Sequence, residues 1–171
     1  MRATTAKDII QIPFSLAMLC FFTSCVSVNL GGGSAGKRAE GVHIVAPKSP
    51  FSKETRADLD GAWINSKSGN TISYLTDCQD NTDPSLDSIV QGAMTGLSDL
   101  KIDSTSNEMV QEREARRVVA VGKVDGVPSK IDLMVFRRNH CIYLLSYVGV
   151  QKAFDHDHAQ FDSFVQGFRA P

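Results

Sequence analysis

The residues most able to do chemistry in this 171-residue chain are four cysteines, a short His/Asp cluster and one glycine-lysine pattern. Cys78 and Cys141 fall inside the part that reads as folded. Outside the cytoplasm such a pair favours a disulfide, and closing a loop of 63 residues stabilises by about 4 kcal/mol in the chain-entropy view. The alternative makes Cys141 a nucleophile served by His140. Neighbours on a strand point to opposite faces, however, and a redox C-x-x-C spacing is absent. Asp155-His156-Asp157-His158 offers imidazole and carboxylate ligands for a divalent metal such as Zn²⁺, with His156 and His158 the candidate donors. The cluster sits at a helix start, where aspartate is favoured as a cap, and two histidines one residue apart cannot share a helix face. A structural role is therefore expected, with no metal and no catalytic residue. Gly31, Gly36 and Lys37 match part of a phosphate-binding loop. Arg38 stands where Ser or Thr must hold Mg²⁺, and an extended run follows where a helix is required. No cofactor is expected.

Cys25 belongs to a different context. Met1 to Asp8 carries Arg2 and Lys7, Ile9 to Phe22 is largely apolar, and Thr23-Ser24 are small. A charged start, a short apolar segment and small residues before a cut describe a secretory signal, too short for the ~20 residues of a spanning helix. Phe22-Thr23-Ser24-Cys25 resembles the lipobox of bacterial lipoproteins, with Phe22 standing where that pattern prefers Leu. The resemblance implies cleavage before Cys25 and lipid, including palmitate, on that cysteine. Two or three acyl chains anchor stably where one binds marginally. In that family Asp after the cysteine goes with inner-membrane retention, so Val26 implies, on the resemblance, an outer membrane facing the periplasm.

The signal removes Arg2, Lys7 and Asp8, leaving a net charge of −2. Such a balance argues against nucleic-acid binding, and Arg116-Arg117 and Arg137-Arg138 read as isolated, solvated pairs. The expected organisation is a lipoprotein signal over 1–24, a lipidated N-terminus and flexible Gly-rich linker over 25–41, and one domain over 42–171.

Several elements must position these residues. Val42 to Ala46 alternates as a strand, and Ser52 to Leu59 suits a short helix. Ala62 to Ile64 and Thr71 to Leu75 form a hairpin across Asn65 to Asn70, with Trp63 in the core. Asp83 and Pro84 open a helix whose apolar Leu86, Ile89, Val90, Ala93, Met94 and Leu97 line one face, with Gly92 and Gly96 suited to close packing on a sheet. Met109 to Glu114, Arg117 to Val124, Ser129 to Phe136 and Cys141 to Val148 read as strands. Asp125-Gly126 signals a turn that Val127-Pro128 should lengthen. Phe161, Phe164, Val165 and Phe168 define a closing helix capped by Asp155 or Asp157.

The order of Trp63, Thr71-Ile72-Ser73-Tyr74, the Leu86 to Leu97 helix, the meander about Asp125-Gly126 and the Phe-rich end resembles the Mog1/PsbP-like superfamily. That resemblance implies an α+β fold, a central antiparallel sheet of about six strands between helices in an α/β/α sandwich. It also implies an accessory or binding role, and carries over no functional residue. The expected protein is a membrane-tethered envelope lipoprotein with a non-enzymatic binding or scaffold domain. Its partners are the membrane, through lipid, and an unidentified envelope protein. The competing expectations are an envelope hydrolase whose site is assembled from distant residues, since no G-x-S-x-G or H-E-x-x-H motif is present, and a metal-binding lipoprotein.

Overall fold

Three tight turns set the register of the second half of the chain. In a computed structural model describing residues 36–78 and 83–171, Gln111-Glu112, Asp125-Gly126 and Asn139-His140 all adopt positive φ. Two such residues make the type I′ turn whose twist matches paired strands. They join β4 (Ser98–Val110), β5 (Arg113–Val124), β6 (Val127–Arg138) and β7 (Cys141–Val150) into one antiparallel meander. The expected longer turn after Asp125 does not occur. Val124 pairs directly with Val127, and Pro128 is the second residue of β6.

The first half adds β1 (Ser52–Glu54), β2 (Gly61–Ile64) and β3 (Thr71–Asp77), and β3 pairs with β7 to give a sheet of order β1-β2-β3-β7-β6-β5-β4. The fold is α+β, with seven strands rather than six. The run Met109 to Glu114, expected as a strand, spans the Gln111-Glu112 turn and takes in only the end of β4 and the start of β5. Ser52 begins an edge strand instead of a helix, and Val42 to Ala46 contributes only a bridge between His43 and Arg169.

Alternation along the strands separates two cores. Helix α2 (His158–Gly167) covers one face, burying Phe161, Phe164 and the following Phe168 against Trp63, Ile72, Met134, Phe136, Tyr143 and Tyr147. Helix α1 (Leu86–Ala93) covers part of the other, placing Ile89, Val90, Ala93 and Met94 on Val118, Leu133, Val135 and Leu144. The apolar spacing of both helices held, but their caps differ from expectation. Ser85, not Asp83, accepts the amide of Ser88, while Asp83 pairs with Arg137. Gly92 and Gly96 face open space, so neither supports a close approach.

Cys78 and Cys141 form the disulfide, with Cα atoms 4.1 Å apart. They continue the β3–β7 register one step past the Asp77–Ile142 pair. Cys141 is therefore not a free nucleophile. Beside it, Lys37 accepts from the amide of Cys78, and the amide of Ala39 donates to the Thr76 hydroxyl. Arg38 reaches the carbonyl of Thr76 and lies 3.5 Å from Asp60. Residues 37–39 of the expected linker are thus pinned along β3. Cys25 and Gly31 lie outside the described residues.

Candidate functional site

Two places stand out, one on each face of the sheet: a buried polar cluster and a cavity. On the α2 face, Asp132 stands in the apolar run Ile131-Asp132-Leu133 and is completely buried. Period two sends it toward α2 while Ile131 and Leu133 face α1. A buried carboxylate needs partners. Arg117, on the neighbouring β5, donates Nε at 3.0 Å and its terminal nitrogen at 2.7 Å, and His158 places Nε2 at 2.7 Å. The same guanidinium reaches Asp162 at 2.5 Å, and Glu108 lies at 4.0 Å. Hydrogen bonding to Asp132 raises the Arg117 pKa above its ordinary value, outweighing burial, with Asp162 adding to the effect.

Arg117 therefore fills the centre of a carboxylate cluster, the place a bound cation would take. His158 has Nε2 on Asp132 and Nδ1 3.6 Å from Asp162, so both ring nitrogens face carboxylates. The arrangement fastens α2 to the sheet. Its sequence signal was a lone acid within an apolar strand.

His156, the other candidate ligand, lies apart at the end of a 3₁₀ turn, Phe154–His156. Among the described residues, no three His, Cys, Asp or Glu side chains are placed to hold a metal ion. Nor does Asp157 cap α2 with its side chain. Its carboxylate instead accepts from Ser68 at 2.7 Å and from Asn65 and Asn70 at 2.9 Å, tying the β2–β3 turn to the start of α2. Burial works to raise Asp157, but the bonds from Ser68, Asn70 and Asn65 prevail and hold the carboxyl below its ordinary value. Asn70 lies so close over Gly149 that a Cβ there would meet its Oδ1 at 1.9 Å. The arginine pairs read as solvated also have protein partners: Arg116 with Asp87, Arg137 with Asp83, and Arg138 with the carbonyls of Gln111 and Pro171.

The second place is on the α1 face. Helix α1 has eight residues and covers only the end of the sheet near Leu75, Leu133 and Leu144. Beyond it, a cavity of about 260 Å³ opens over β2, β3, β7 and β6. Ala62, Ser73, Ser129 and Ser146 supply small, buried positions, and Leu59, Ile64, Val124, Val127, Val148 and Val150 supply apolar walls. The Ser73 and Ser146 hydroxyls bond each other at 2.6 Å, and Ser129 donates to the carbonyl of Val127, so these buried hydroxyls already have partners. Glu54 and Arg56 line it from the β1 side. Sequence reasoning missed this site because its residues are ordinary strand residues. Among the described residues, the short helix α1 does not extend over them.

A single antiparallel sheet with one helix on each face, entered by a hairpin and completed by a meander, defines an α+β fold of the PsbP-like kind. Cyanobacterial PsbP (CyanoP) from Synechocystis sp. PCC 6803 is similar to this chain with a TM-score of 0.57 at 11% identity, covering 88% of this chain and 99% of its own. LpqN, involved in cell envelope biogenesis of Mycobacterium tuberculosis, gives 0.60 at 9% identity over 81% and 87% of the two chains. PA94 of Pseudomonas aeruginosa, a protein of unknown function, gives 0.51 at 12% identity over 79% and 84%. At these identities the likeness is one of fold. No known protein family and no curated protein matches the chain. No helix among the described residues is long and apolar enough to cross a membrane.

Proposed function

We propose that this chain is a lipid-tethered accessory protein of the bacterial envelope, anchored through Cys25 at an outer membrane. Its α1-face cavity receives an apolar group of a partner envelope protein. The observation that carries the reading is the cavity: concave, apolar-walled, and with its buried serine hydroxyls already partnered within the chain. A catalytic site would be expected to gather titratable groups around a reactive position. At about 260 Å³ the space falls just below the ~300–1,000 Å³ of small-molecule sites. It suits one or two apolar anchors of the sort that dominate protein interfaces. The likeness to a protein of cell envelope biogenesis supports the location, and the lipobox-like Phe22 to Cys25 supports the tether.

The test is a photo-crosslinking amino acid placed in intact cells at Val127, exposed at the cavity, and separately at Ser163, exposed on α2. The expected outcome is one reproducible protein adduct from Val127, absent from Ser163 and lost when Cys25→Ala removes the anchor. The same adducts from both positions, or none from Val127, would contradict the proposal.

A further inference from the structure

The two edges of the sheet are protected very differently. Edge β1 has three residues, two of them Lys53 and Glu54. Short length and charge are the usual defences against strand addition. Edge β4 has thirteen residues and is exposed along most of its length. Of the five large apolar side chains exposed among the described residues, Leu100, Ile102 and Met109 all lie on it. Irregularities between Ser98 and Ser104 interrupt its first half, but Ser104 to Val110 pairs with Val119 to Arg113 without a break. That regular stretch holds one charge, Glu108, and no proline or lysine.

The direction of its free backbone groups follows from the turn. Val110 and Arg113 flank the two-residue Gln111-Glu112 turn, so this pair exchanges both backbone bonds. Alternation then aims the N–H and C=O of Val110, Glu108, Ser106 and Ser104 at β5, and those of Met109, Asn107 and Thr105 outward. We propose that β4 is a self-association edge, on which a second copy of this chain adds its own β4 antiparallel, with Asn107 opposite Asn107 across a two-fold axis.

Self-complementarity selects the second copy. With the axis at Asn107, Thr105 of each chain stands opposite Met109 of the other, so Thr105, Asn107 and Met109 all find a partner with outward backbone groups. Ser106 stands opposite Glu108, and Ser104 opposite Val110. No like charges are directly opposed. Glu108 is already held within its own chain by the Ser106 hydroxyl at 3.2 Å and lies 4.0 Å from Arg117. Met109, 70% exposed in the single chain, gains cover from Thr105 of the second copy. The α1-face cavity lies away from this edge, so the inference is independent of the partner proposed above.

The experiment uses the full chain, processed in a bacterial envelope, with one added cysteine. Opposed residues of a bonded pair lie about 5.5 Å apart between Cα atoms, within disulfide reach. Asn107→Cys should therefore give a dimer that reductant dissolves, with the 107–107 bond found by peptide mapping. Thr105→Cys, whose two copies would be roughly 14 Å apart at ~3.4 Å per residue, should give none. No dimer from Asn107→Cys, or equal dimer from both, would overturn the proposal. A second variant removes only an outward amide: Asn107→Pro leaves the β4–β5 bonds in place and should shift the purified protein from dimer to monomer by sedimentation. A wild-type chain that sediments as monomer throughout, or a folded Asn107→Pro that remains dimeric, would also overturn it.

Discussion

On the α2 face of the sheet, Phe161, Phe164 and Phe168 meet Trp63, Phe136, Tyr143 and Tyr147 in one aromatic layer that leaves each of these rings at 5% exposure or less. On the α1 face, eight helical residues meet a layer of Leu, Ile, Val and Ala, and more than half the width of the sheet shares a cavity beside them. The same strands build both faces by alternation. The difference lies in the covering element and its fastening. Helix α2 is sealed by large rings, by the Arg117–Asp132–His158 cluster and by the Asp157 ties to the β2–β3 turn. Helix α1 is held by its apolar stripe and by arginine pairs at its start: Arg116 with Asp87, and Arg137 with Asp83 and the Pro84 carbonyl. One face is closed by packing and polar ties, and the other keeps an open cavity among the described residues.

The contrast can be broken first by truncation. Phe161→Ala should cost about 3–5 kcal/mol, the range for deleting a large buried ring. Val127→Ala at the cavity should stay within about 0.5 kcal/mol, as surface changes do. Urea unfolding of both variants checks this, and similar costs would mean the cavity face also carries the fold.

A smaller effect concerns acid. The Asp157 carboxyl lies below its ordinary value of 3.8 in the folded chain. Its contribution is therefore fully present above the unfolded value and is lost as pH falls through the folded one. Because the group is partly exposed, the loss should be under about 1 kcal/mol. Asp157→Asn should flatten the fall in stability between about pH 5 and pH 2, measured by thermal unfolding across that range. A steeper fall in the variant would contradict the assignment.

How much of this was legible from the residues depended on whether burial was written into a pattern. The helix around Ile89 to Met94 and the Phe-rich end carry periodic apolar positions because each buries one face, and both stood out. The Cys78–Cys141 bridge was expected from the signal-like N-terminus and from the places of the two cysteines at a strand end and a strand start. Strand β4 was missed because its residues are exposed on both faces and lack the apolar alternation that marks a half-buried strand. The Gln111-Glu112 turn was missed because neither residue is the glycine or asparagine usual at positive φ, whereas Asp125-Gly126 signalled itself. Asp132 announced a buried charge only as an anomaly within an apolar run, and Arg117 and His158 could be joined to it only through strand pairing and the seating of α2. The cavity had no sequence signal at all, since it arises from what α1 fails to cover.

The central claim is that the α1-face cavity binds an apolar group. Fluorescence titration with an apolar reporter dye tests it on the wild-type chain and on Thr71→Trp and Val148→Trp, two half-buried positions that line the cavity and whose enlargement would fill it. The account predicts saturable binding to the wild type that both substitutions abolish without lowering the melting temperature. Equal binding by the filled variants, or none by the wild type, would contradict it.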